Sequence, residues 1–257
     1  MSGITKFYGH VEALRDVDLH LDKGEIIGLV GDNAAGKSTL MKILAGVLPP
    51  TEGEIRLDGE SIRFRNALHA RLCGIEMVHQ SYALCENLDT VANVSLGREA
   101  RRPGLLGKMG FLDKPAMRER TLGSLHDFDA TVRPVLDRAT EMLSGGQKQA
   151  VAIVRAAAFD ARVVIMDEPT ANLGARNAVR VLDMIRMLRD RGSSVILISH
   201  RFNDIFEVSD RIEVLRSGRV AGIRRTADTN REEILGLMFG DPVESLGEPV
   251  RKTLVAE

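Results

Sequence analysis

The feature that most constrains this chain is a glycine-rich segment that directly follows a short apolar run. Residues 26–30 read I-I-G-L-V, residues 31–39 read G-D-N-A-A-G-K-S-T, and helix-like residues follow at 40–45. An apolar run, the pattern G-x-x-x-x-G-K-[ST] and a helix are together the context of a phosphate-binding loop. Glycines allow successive N–H groups to point inward at a helix N-terminus, where the dipole favours an anion. The alternative is a glycine-rich turn that merely joins a strand to a helix.

The pattern assigns roles within this segment. Lys37 is expected to reach the β- and γ-phosphates of a nucleotide, and Ser38 is expected to hold Mg²⁺. Ala34 stands where many such loops carry another glycine. If that position needs a positive φ, the alanine costs on the order of 1 kcal/mol, which the loop can tolerate.

The composition limits the classes of partner. Among 257 residues, 35 are basic and 36 acidic, with no sustained basic block, so a nucleic-acid partner is disfavoured. Cys73 and Cys85 lack C-x-x-C spacing, which indicates reduced thiols in a cytosolic protein. No signal pattern stands out, and no apolar stretch approaches the ~18 residues that cross a bilayer, so we expect a soluble chain.

Two further apolar runs end in titratable side chains. Residues 163–166 run into Asp167 and Glu168, and residues 195–198 run into Ser199 and His200. Continuous apolar runs of this length are typical of central parallel strands, and open α/β sheets bind ligands at the carboxyl ends of their strands. We therefore expect these side chains at one sheet edge. A lone histidine at a strand end is also compatible with a purely structural role.

Three other positions have both a functional and a structural interpretation. Tyr8, just before Gly9, is able to stack on a purine ring or to pack as an edge-strand core residue. Gln80 ends a predicted strand at 74–80 and is either a ligand-sensing amide or an ordinary terminal residue. Ser144, in L-S-G-G-Q at 143–147, is able to cap the following helix, although two adjacent glycines exceed what a cap needs.

The remaining pattern predicts the arrangement of the chain. A strand with alternating apolar residues is predicted at 13–21, and the segment from 81 to about 139 changes to helical pieces broken by Gly and Pro. Such an insertion within an α/β core suggests a separate helical lobe. The arginine-rich residues 98–102 predict a solvated face.

Taken in order, these motifs resemble the ATP-binding subunit of ABC transporters over residues 4–239. The resemblance is carried by the tyrosine before Gly9, the phosphate loop, Gln80, L-S-G-G-Q, V-V-I-M-D-E and His200. Residues 93–99, N-V-S-L-G-R-E, and the sequence D-E-P-T-A-N-L look like the bacterial importers of monosaccharides. Such importers usually carry two ATP-binding halves in one chain, and this chain is similar to the single-half, fructose-type variant.

The resemblance implies an α/β fold. It has a P-loop NTPase core with a mostly parallel central sheet, an N-terminal antiparallel β subdomain and an inserted α-helical subdomain. The implied ATP-binding domain is residues 1–240, with the core at 1–80 and 155–240, the helical subdomain at about 81–154, and a tail at 241–257.

The resemblance also implies a role for each motif. ATP and Mg²⁺ are the implied ligands, and the nucleotide-binding set is Tyr8, Gly31, Asp32, Asn33, Ala34, Ala35, Gly36, Lys37, Ser38, Thr39, Ser144, Gly145, Gly146 and Gln147. Tyr8 stacks on adenine, and Ser38, Gln80 and Asp167 serve the metal. Glu168 deprotonates the attacking water, while His200 contacts the γ-phosphate; Lys37 and Gln80 complete the catalytic group.

The implied active unit is a homodimer, because Ser144 and Gly146 complete the site of a second chain in this family. ATP closes the dimer, hydrolysis opens it, and the motion passes to membrane permease subunits that receive sugar from a periplasmic binding protein. The chain is then peripheral, at the cytoplasmic face of the inner membrane. One departure is Gly174, where many family members have an aspartate that bonds across the dimer. The alternative is a soluble ABC ATPase in a non-transport role.

Overall fold

A central sheet of mostly parallel strands organises the computed structural model, which describes residues 1–128 and 136–240. Along the chain the strands are β1 Ser2–Tyr8, β2 Val11–Val17, β3 Ile26–Gly31, β4 Glu52–Leu57, β5 Glu60–Ile62, β6 Ile75–Val78, β7 Val163–Asp167, β8 Ser194–Ile198, β9 Arg211–Arg216 and β10 Arg219–Arg225. The helices are α1 Lys37–Leu44, α2 Ala67–Leu72, α3 Thr90–Ser95, α4 Leu105–Lys108, α5 Lys114–Phe128, α6 Gly145–Ala157, α7 Ala175–Asp190, α8 Phe202–Val208 and α9 Arg231–Phe239.

The central sheet has the strand order β10-β9-β3-β8-β7-β6. The pairs from β9 through β6 are parallel, and β10 joins β9 as an antiparallel edge. A second sheet, with the order β2-β1-β4-β5, is antiparallel throughout. These two sheets confirm the predicted α/β class, with its mostly parallel core and its N-terminal antiparallel part.

The central strands are apolar throughout because both faces of the sheet are buried. On β7, Val164 and Met166 face a cluster shared with α6 and α7, whereas Ile165 faces the cluster shared with α1 and the antiparallel sheet. On β8 the side chains alternate in the same way. Burial on two faces removes the polar alternation expected of a half-exposed strand, and it fixes which strand ends deliver side chains to the ligand edge.

Three local predictions are wrong. Gln80 does not end the strand predicted at 74–80, because β6 ends at Val78 and the chain turns away after it. The strand predicted at 13–21 ends at Val17, although Leu19 is buried beyond it. The arginine-rich residues 98–102 do not form a uniformly solvated face, because the Arg98 side chain is only 11% exposed and pairs with the buried Glu76. Its guanidinium also lies 4.7 Å from the centre of the Phe159 ring. A buried acid on β6 therefore draws this arginine inward.

The division into core and helical subdomain stays a prediction. Helices α3 and α5 both pack against α6, and α6 in turn contacts β6 and α7. Helix α6 thus crosses the predicted boundary between residues 154 and 155. The predicted tail at 241–257 lies outside the described residues.

Candidate functional site

The predicted phosphate loop joins β3 to α1 and has the tight curvature that its glycines allow. Gly31 has φ +153°, and a Cβ there would lie 2.3 Å from the Leu215 carbonyl oxygen. Gly36 has φ +105°, and a Cβ there would lie 2.6 Å from Leu14 Cδ2. Ala34 adopts a positive φ of 69°. The condition stated in the sequence analysis is therefore met, and the alanine backbone is strained.

The loop leaves the beginning of α1 open to an anion. Helix α1 begins at Lys37, and its N-cap, Gly36, supplies no side-chain hydrogen bond to the first turn. Ser38 is exposed on that turn. Uncapped N–H groups and the positive end of the helix dipole at the same place favour a phosphate group.

The Lys37 ammonium lies inside the curve of the loop. Its Nζ donates to the carbonyl oxygen of Gly31 at 2.6 Å and to that of Asp32 at 3.0 Å. Desolvation lowers the pKa of Lys37, and the nearby carboxylates of Glu168, Asp32 and Asp167 oppose that shift. A lysine that donates to carbonyl oxygens at this position is a cation able to exchange them for phosphate oxygens.

Glu168 is the most constrained of the predicted catalytic residues. It follows the end of β7, is 8% exposed, and has φ 51°, a conformation that costs a non-glycine residue about 1–3 kcal/mol. Its N–H donates to the Ile198 carbonyl oxygen at 2.9 Å, which ties this strained residue to the end of β8. Burial raises the pKa of Glu168, while His200 acts in the opposite direction.

The structure brings His200 to Glu168, as expected for residues that end neighbouring parallel strands. The His200 N–H donates to Glu168 Oε2 at 3.3 Å. Glu168 Oε1 is buried without a hydrogen-bond partner among the described residues; His200 Nε2 lies 3.3 Å from it but without hydrogen-bond geometry. The His200 side chain is 61% exposed. One carboxylate oxygen is thus held by the backbone, and the other is buried beside the His200 ring.

The remaining predicted contacts lie at the surface. Tyr8 ends β1 with 46% of its area exposed, and Lys6 Nζ lies 5.8 Å from the centre of its ring. Gln80 is exposed two positions beyond the end of β6. Tyr8 is therefore not a buried core residue, and both side chains are accessible to a ligand.

The L-S-G-G-Q segment forms a capped helix start. Ser144 caps α6, and the Gln147 side chain completes a capping box by accepting from the Ser144 N–H at 3.0 Å. Ser144 thus caps the helix, which was the structural alternative for this residue. The two adjacent glycines are not needed for the cap, but close neighbours leave little room for a side chain at either position. A Cβ on Gly146 would lie 2.9 Å from the Asn177 amide, and one on Gly145 would lie 3.3 Å from Tyr82 Oη.

Sequence reasoning missed both of these neighbours. Asn177 lies in the first turn of α7, and Tyr82 lies in the loop after Gln80. Neither residue belongs to a recognisable motif. The only sequence signal was the pair of glycines, which indicates a close approach without naming the partner.

The residues present fit a nucleotide with its metal. Gly31 and Gly36 allow the tight turn of the phosphate loop, and within the described parts of the chain the buried Glu168 Oε1 has no hydrogen-bond partner. Within residues 1–128 and 136–240, no group of three or more His, Cys, Asp or Glu side chains could hold a metal by itself. Mg²⁺ is commonly held by one or two protein oxygens together with substrate phosphates, and Ser38 and Asp167 are such donors.

The fold and the site together define the class of P-loop NTPases. An acid and a histidine lie beside the phosphate loop of this one. The sequence matches the family model described as ABC transporter over residues 14–171, and the chain belongs to this family of ATPases. The predicted family and fold class are confirmed.

Its relatives include import proteins and solved cassettes. The chain is 43% identical to the fructose import ATP-binding protein of Rhizobium meliloti, over 99% of this chain and 96% of that one. It is 42% identical to a ribose import ATP-binding protein of Burkholderia thailandensis, over 95% of this chain but 47% of that one. The chain thus spans about half the length of the ribose relatives. A nucleotide-free ATP-binding cassette superposes with a TM-score of 0.79 at 25% identity, covering 96% of this chain and 98% of that one.

A dimeric cassette also matches. It was solved in a post-hydrolysis state with ADP and Pi, and it superposes with a TM-score of 0.73 at 26% identity, covering 88% of this chain and 97% of that one. None of the helices in the described parts of this chain has the length and apolar character needed to cross a membrane.

Proposed function

We propose that this chain is the ATP-hydrolysing subunit of a monosaccharide importer. The observation that carries the proposal is the placement of Lys37 and the Glu168–His200 pair at one edge of the central sheet, where the Glu168 charge acts on Lys37. A cation that binds phosphate thus faces a carboxylate suited to a general base. Phosphoryl transfer needs mainly such positioning and charge.

The phosphate loop and α1 perform the binding step. Backbone N–H groups of residues 31–39 surround the phosphates, and Lys37 exchanges its contacts with the Gly31 and Asp32 carbonyl oxygens for phosphate oxygens. Ser38 and Asp167 would hold Mg²⁺, which supplies positive charge to the phosphate groups when bound. Tyr8 provides an exposed ring for adenine at the end of β1.

Glu168 and His200 perform the chemical step. Glu168 orients a water molecule and accepts its proton, and burial makes this carboxylate a stronger base than one in water. The His200 backbone holds Glu168 Oε2, while its exposed ring is left to contact the γ-phosphate. In this proposal Gln80, exposed just beyond β6, senses both the metal and the water.

The proposed active unit contains two copies of this chain. Ser144 and Gly146, at the beginning of α6, then contact ATP bound to the phosphate loop of the second copy. The hydrogen bond by which Ser144 caps α6 does not prevent this role. The dipole at the N-terminus of this thirteen-residue helix and the serine hydroxyl both favour phosphate. The dimeric cassette similar to this chain supports the arrangement.

The substrate and partners follow from the relatives. The similar proteins named above are import ATP-binding proteins for fructose and ribose, which favours a monosaccharide over the soluble, non-transport alternative. The chain then acts at the cytoplasmic face of the cell membrane with permease subunits, which receive the sugar from a periplasmic binding protein. Deleting its gene should abolish uptake of one labelled monosaccharide and leave uptake of other sugars intact. Unchanged uptake of every monosaccharide tested would contradict the importer assignment.

Nucleotide binding is tested by Lys37→Ala. The substitution removes the point charge that faces the phosphates, so ATP affinity should fall at least tenfold, a loss of about 1.4 kcal/mol or more. Isothermal titration calorimetry measures it directly. Lys42→Ala, which changes an exposed lysine of the same helix, is the matched control and should bind like the parent. Equal affinities for Lys37→Ala and the parent would count against the phosphate loop.

A further inference from the structure

The loop at residues 101–114, which contains α4, exposes an unusual amount of apolar side chain. Five large apolar residues lie within eight positions of it, each with more than a third of its area exposed: Leu105, Leu106, Met109, Phe111 and Leu112. Leu105 and Met109 are 73% and 65% exposed, and they share a face because they lie one helical turn apart. Single exposed apolar residues are common on protein surfaces, but a group of them marks an interaction site.

Hydrogen bonds close the 101–114 loop at its base. The Arg102 N–H donates to the Phe111 carbonyl oxygen at 3.0 Å. The Asp113 N–H donates to the Ala100 carbonyl oxygen at 2.7 Å. Gly107 packs on this base so closely that a Cβ there would lie 1.9 Å from the Arg102 carbonyl oxygen. The loop is therefore folded, and its apolar side chains are exposed by that fold.

The tip of the loop pairs its backbone donors internally. Four successive N–H groups, those of residues 108–111, donate to carbonyl oxygens of residues 104–107 at 3.0–3.4 Å. Unpaired backbone groups keep most loops out of apolar surroundings, because each one that loses its water costs several kcal/mol. This tip can enter an apolar environment without leaving those four donors unpaired.

Cations flank the apolar residues along the loop. Four basic side chains are exposed, and none forms an ion pair with another described residue: Arg101, Arg102, Lys108 and Lys114. Asp113 is the one acid among residues 101–114, and it accepts the Ala116 N–H at the beginning of α5 at 3.1 Å. Four bases against one acid give this loop a net charge of +3, in a chain whose formal net charge is −1.

This combination of charge and apolar surface selects one kind of partner. A second copy of the chain is disfavoured, because a symmetric contact through this loop would bring the same four cations together. A bilayer with anionic lipids complements both features. Its phosphate groups attract the cations, and the boundary between headgroups and acyl chains accepts the apolar side chains.

We propose that residues 101–114 form a membrane-binding loop that inserts Leu105, Met109 and Phe111 among anionic phospholipid headgroups. The inference goes beyond the importer assignment, in which the chain reaches the membrane through permease subunits. Direct lipid contact is a second attachment. It requires neither the permease nor bound nucleotide, so it stands or falls independently of the ATP site.

Vesicle binding by the whole purified chain tests the proposal. The vesicles are phosphatidylcholine alone, or phosphatidylcholine with about a quarter phosphatidylglycerol, which makes the surface anionic. The parent should bind the anionic vesicles at least tenfold more tightly, because each basic residue near such a surface contributes about fivefold. Binding to neither kind of vesicle, or equal binding to both, would overturn the proposal.

A matched pair of variants assigns the binding to this loop. Leu105→Ser/Met109→Ser removes two of its apolar contacts and should weaken binding to anionic vesicles at least tenfold. The control is Leu72→Ser/Val179→Ser, which changes residues that are 69% and 51% exposed on α2 and α7 and should bind like the parent. An equal loss in both variants would contradict the assignment. Lys37→Ala should also bind like the parent, since its lesion affects only the phosphate loop.

A tryptophan probe covers the case in which the serine variant fails to fold. The chain has no tryptophan, so Phe111→Trp introduces a single fluorophore and keeps an apolar ring in the loop. Its emission should shift to shorter wavelength on anionic vesicles and be quenched by lipids brominated on their acyl chains. Val179→Trp should show neither change. An unchanged Phe111→Trp spectrum would refute insertion.

The competing partner is a protein. If Leu105→Ser/Met109→Ser abolishes sugar uptake by cells while the parent binds neither kind of vesicle, the loop contacts a protein and the lipid proposal is wrong.

Discussion

At Glu168, the proposed catalytic base, several costly structural features occur in one residue. Its carboxylate is buried, one oxygen is held by the His200 backbone, and its own backbone is strained. A folded protein retains such a costly combination where the surrounding strands determine it, and here β7 and β8 do so through the bond to Ile198. The second oxygen lies beside the His200 ring, and we propose that the attacking water meets the carboxylate there.

Replacing Glu168 by glutamine should separate binding from hydrolysis. Glu168→Gln keeps the shape of the side chain but removes the group that accepts the proton, so the ATPase rate should fall about 10²-fold or more while ATP still binds. Phosphate release measures the rate, and calorimetry measures ATP affinity. The control is Glu232→Gln, an exposed glutamate on α9. A rate above about a tenth of the parent's would show that Glu168 is not the base.

Glu213 is a buried acid outside the site and predicts a pH effect on stability. It lies fully buried on β9, and neither carboxylate oxygen has a hydrogen-bond partner among the described residues. Arg211 Nη1 is 3.7 Å away. Burial raises the pKa of Glu213 to about 7, opposed by Arg211 and the N-terminal amine and assisted by Glu25 and Asp18.

The sign of the effect follows from that raised pKa. Between pH 4.5, the ordinary glutamate value, and about 7, the folded state binds more protons than the unfolded state, so the free energy of unfolding falls as pH rises. The Glu213→Gln side chain carries no charge, so the variant should lose this dependence on pH. Between pH 4.5 and pH 8, its free energy of unfolding should rise relative to that of the parent by on the order of 2 kcal/mol. Urea unfolding across this range measures the difference. Parallel pH profiles for the two proteins would contradict the assignment.

The sequence predicted the residues of the candidate site better than the residues that hold the surrounding loops in place. Motif spacing predicted Lys37, Glu168 and His200 as site residues, because each follows or begins a predictable element, and it gave the condition under which Ala34 is strained, a positive φ. It could not identify Tyr82 or Arg155. Arg155 of α6 donates to the backbone carbonyl oxygens of Ala83 and Tyr82, which lie 72 and 73 positions away in the chain, and any residue at those positions offers the same acceptors.

Among the secondary-structure elements, the central strands were predictable from the sequence. The end of β2 and the side-chain contacts of the segment after α3 were less predictable. Runs of apolar residues predicted β3, β7 and β8, since burial on both faces leaves a continuous signal. The end of β2 and the burial of Arg98 were not predicted, because each depends on a distant partner. Arg98 meets Glu76 of β6, and the charge of Glu76 is hidden within a strand that otherwise reads as apolar.

The Glu76–Arg98 pair connects β6 to the segment after α3 and should matter for stability. Arg98→Ala leaves the buried Glu76 with Arg71 as its remaining partner, at 3.2 Å, so the free energy of unfolding should fall by about 1–3 kcal/mol. Arg102→Ala, at an exposed position nearby, should change it by less than about 0.5 kcal/mol. Urea unfolding of both variants measures the contrast. Equal stabilities would mean that this buried pair contributes nothing.

For the whole molecule, the proposed two-chain site distributes one reaction over two copies. The phosphate loop, Asp167, Glu168 and His200 belong to loops at one edge of the central sheet, whereas Ser144 and Gly146 begin a helix that packs with α3 and α5. We therefore predict that neither group of residues is sufficient alone. One copy with an inactive phosphate loop should still complete the site of its partner.

Trans complementation tests this central claim most directly. Lys37→Ala disables the phosphate loop of its own chain, and Ser144→Arg blocks the site of the other chain, so a mixed dimer has one site with both lesions and one with none. If the chains pair at random in an equal mixture, half of the dimers are mixed, and the expected ATPase rate is roughly a quarter of the parent's. The rate is measured for each variant alone and for the mixture. Two nearly inactive proteins that recover activity on mixing would support the two-chain site, and substantial activity in Ser144→Arg alone would contradict it.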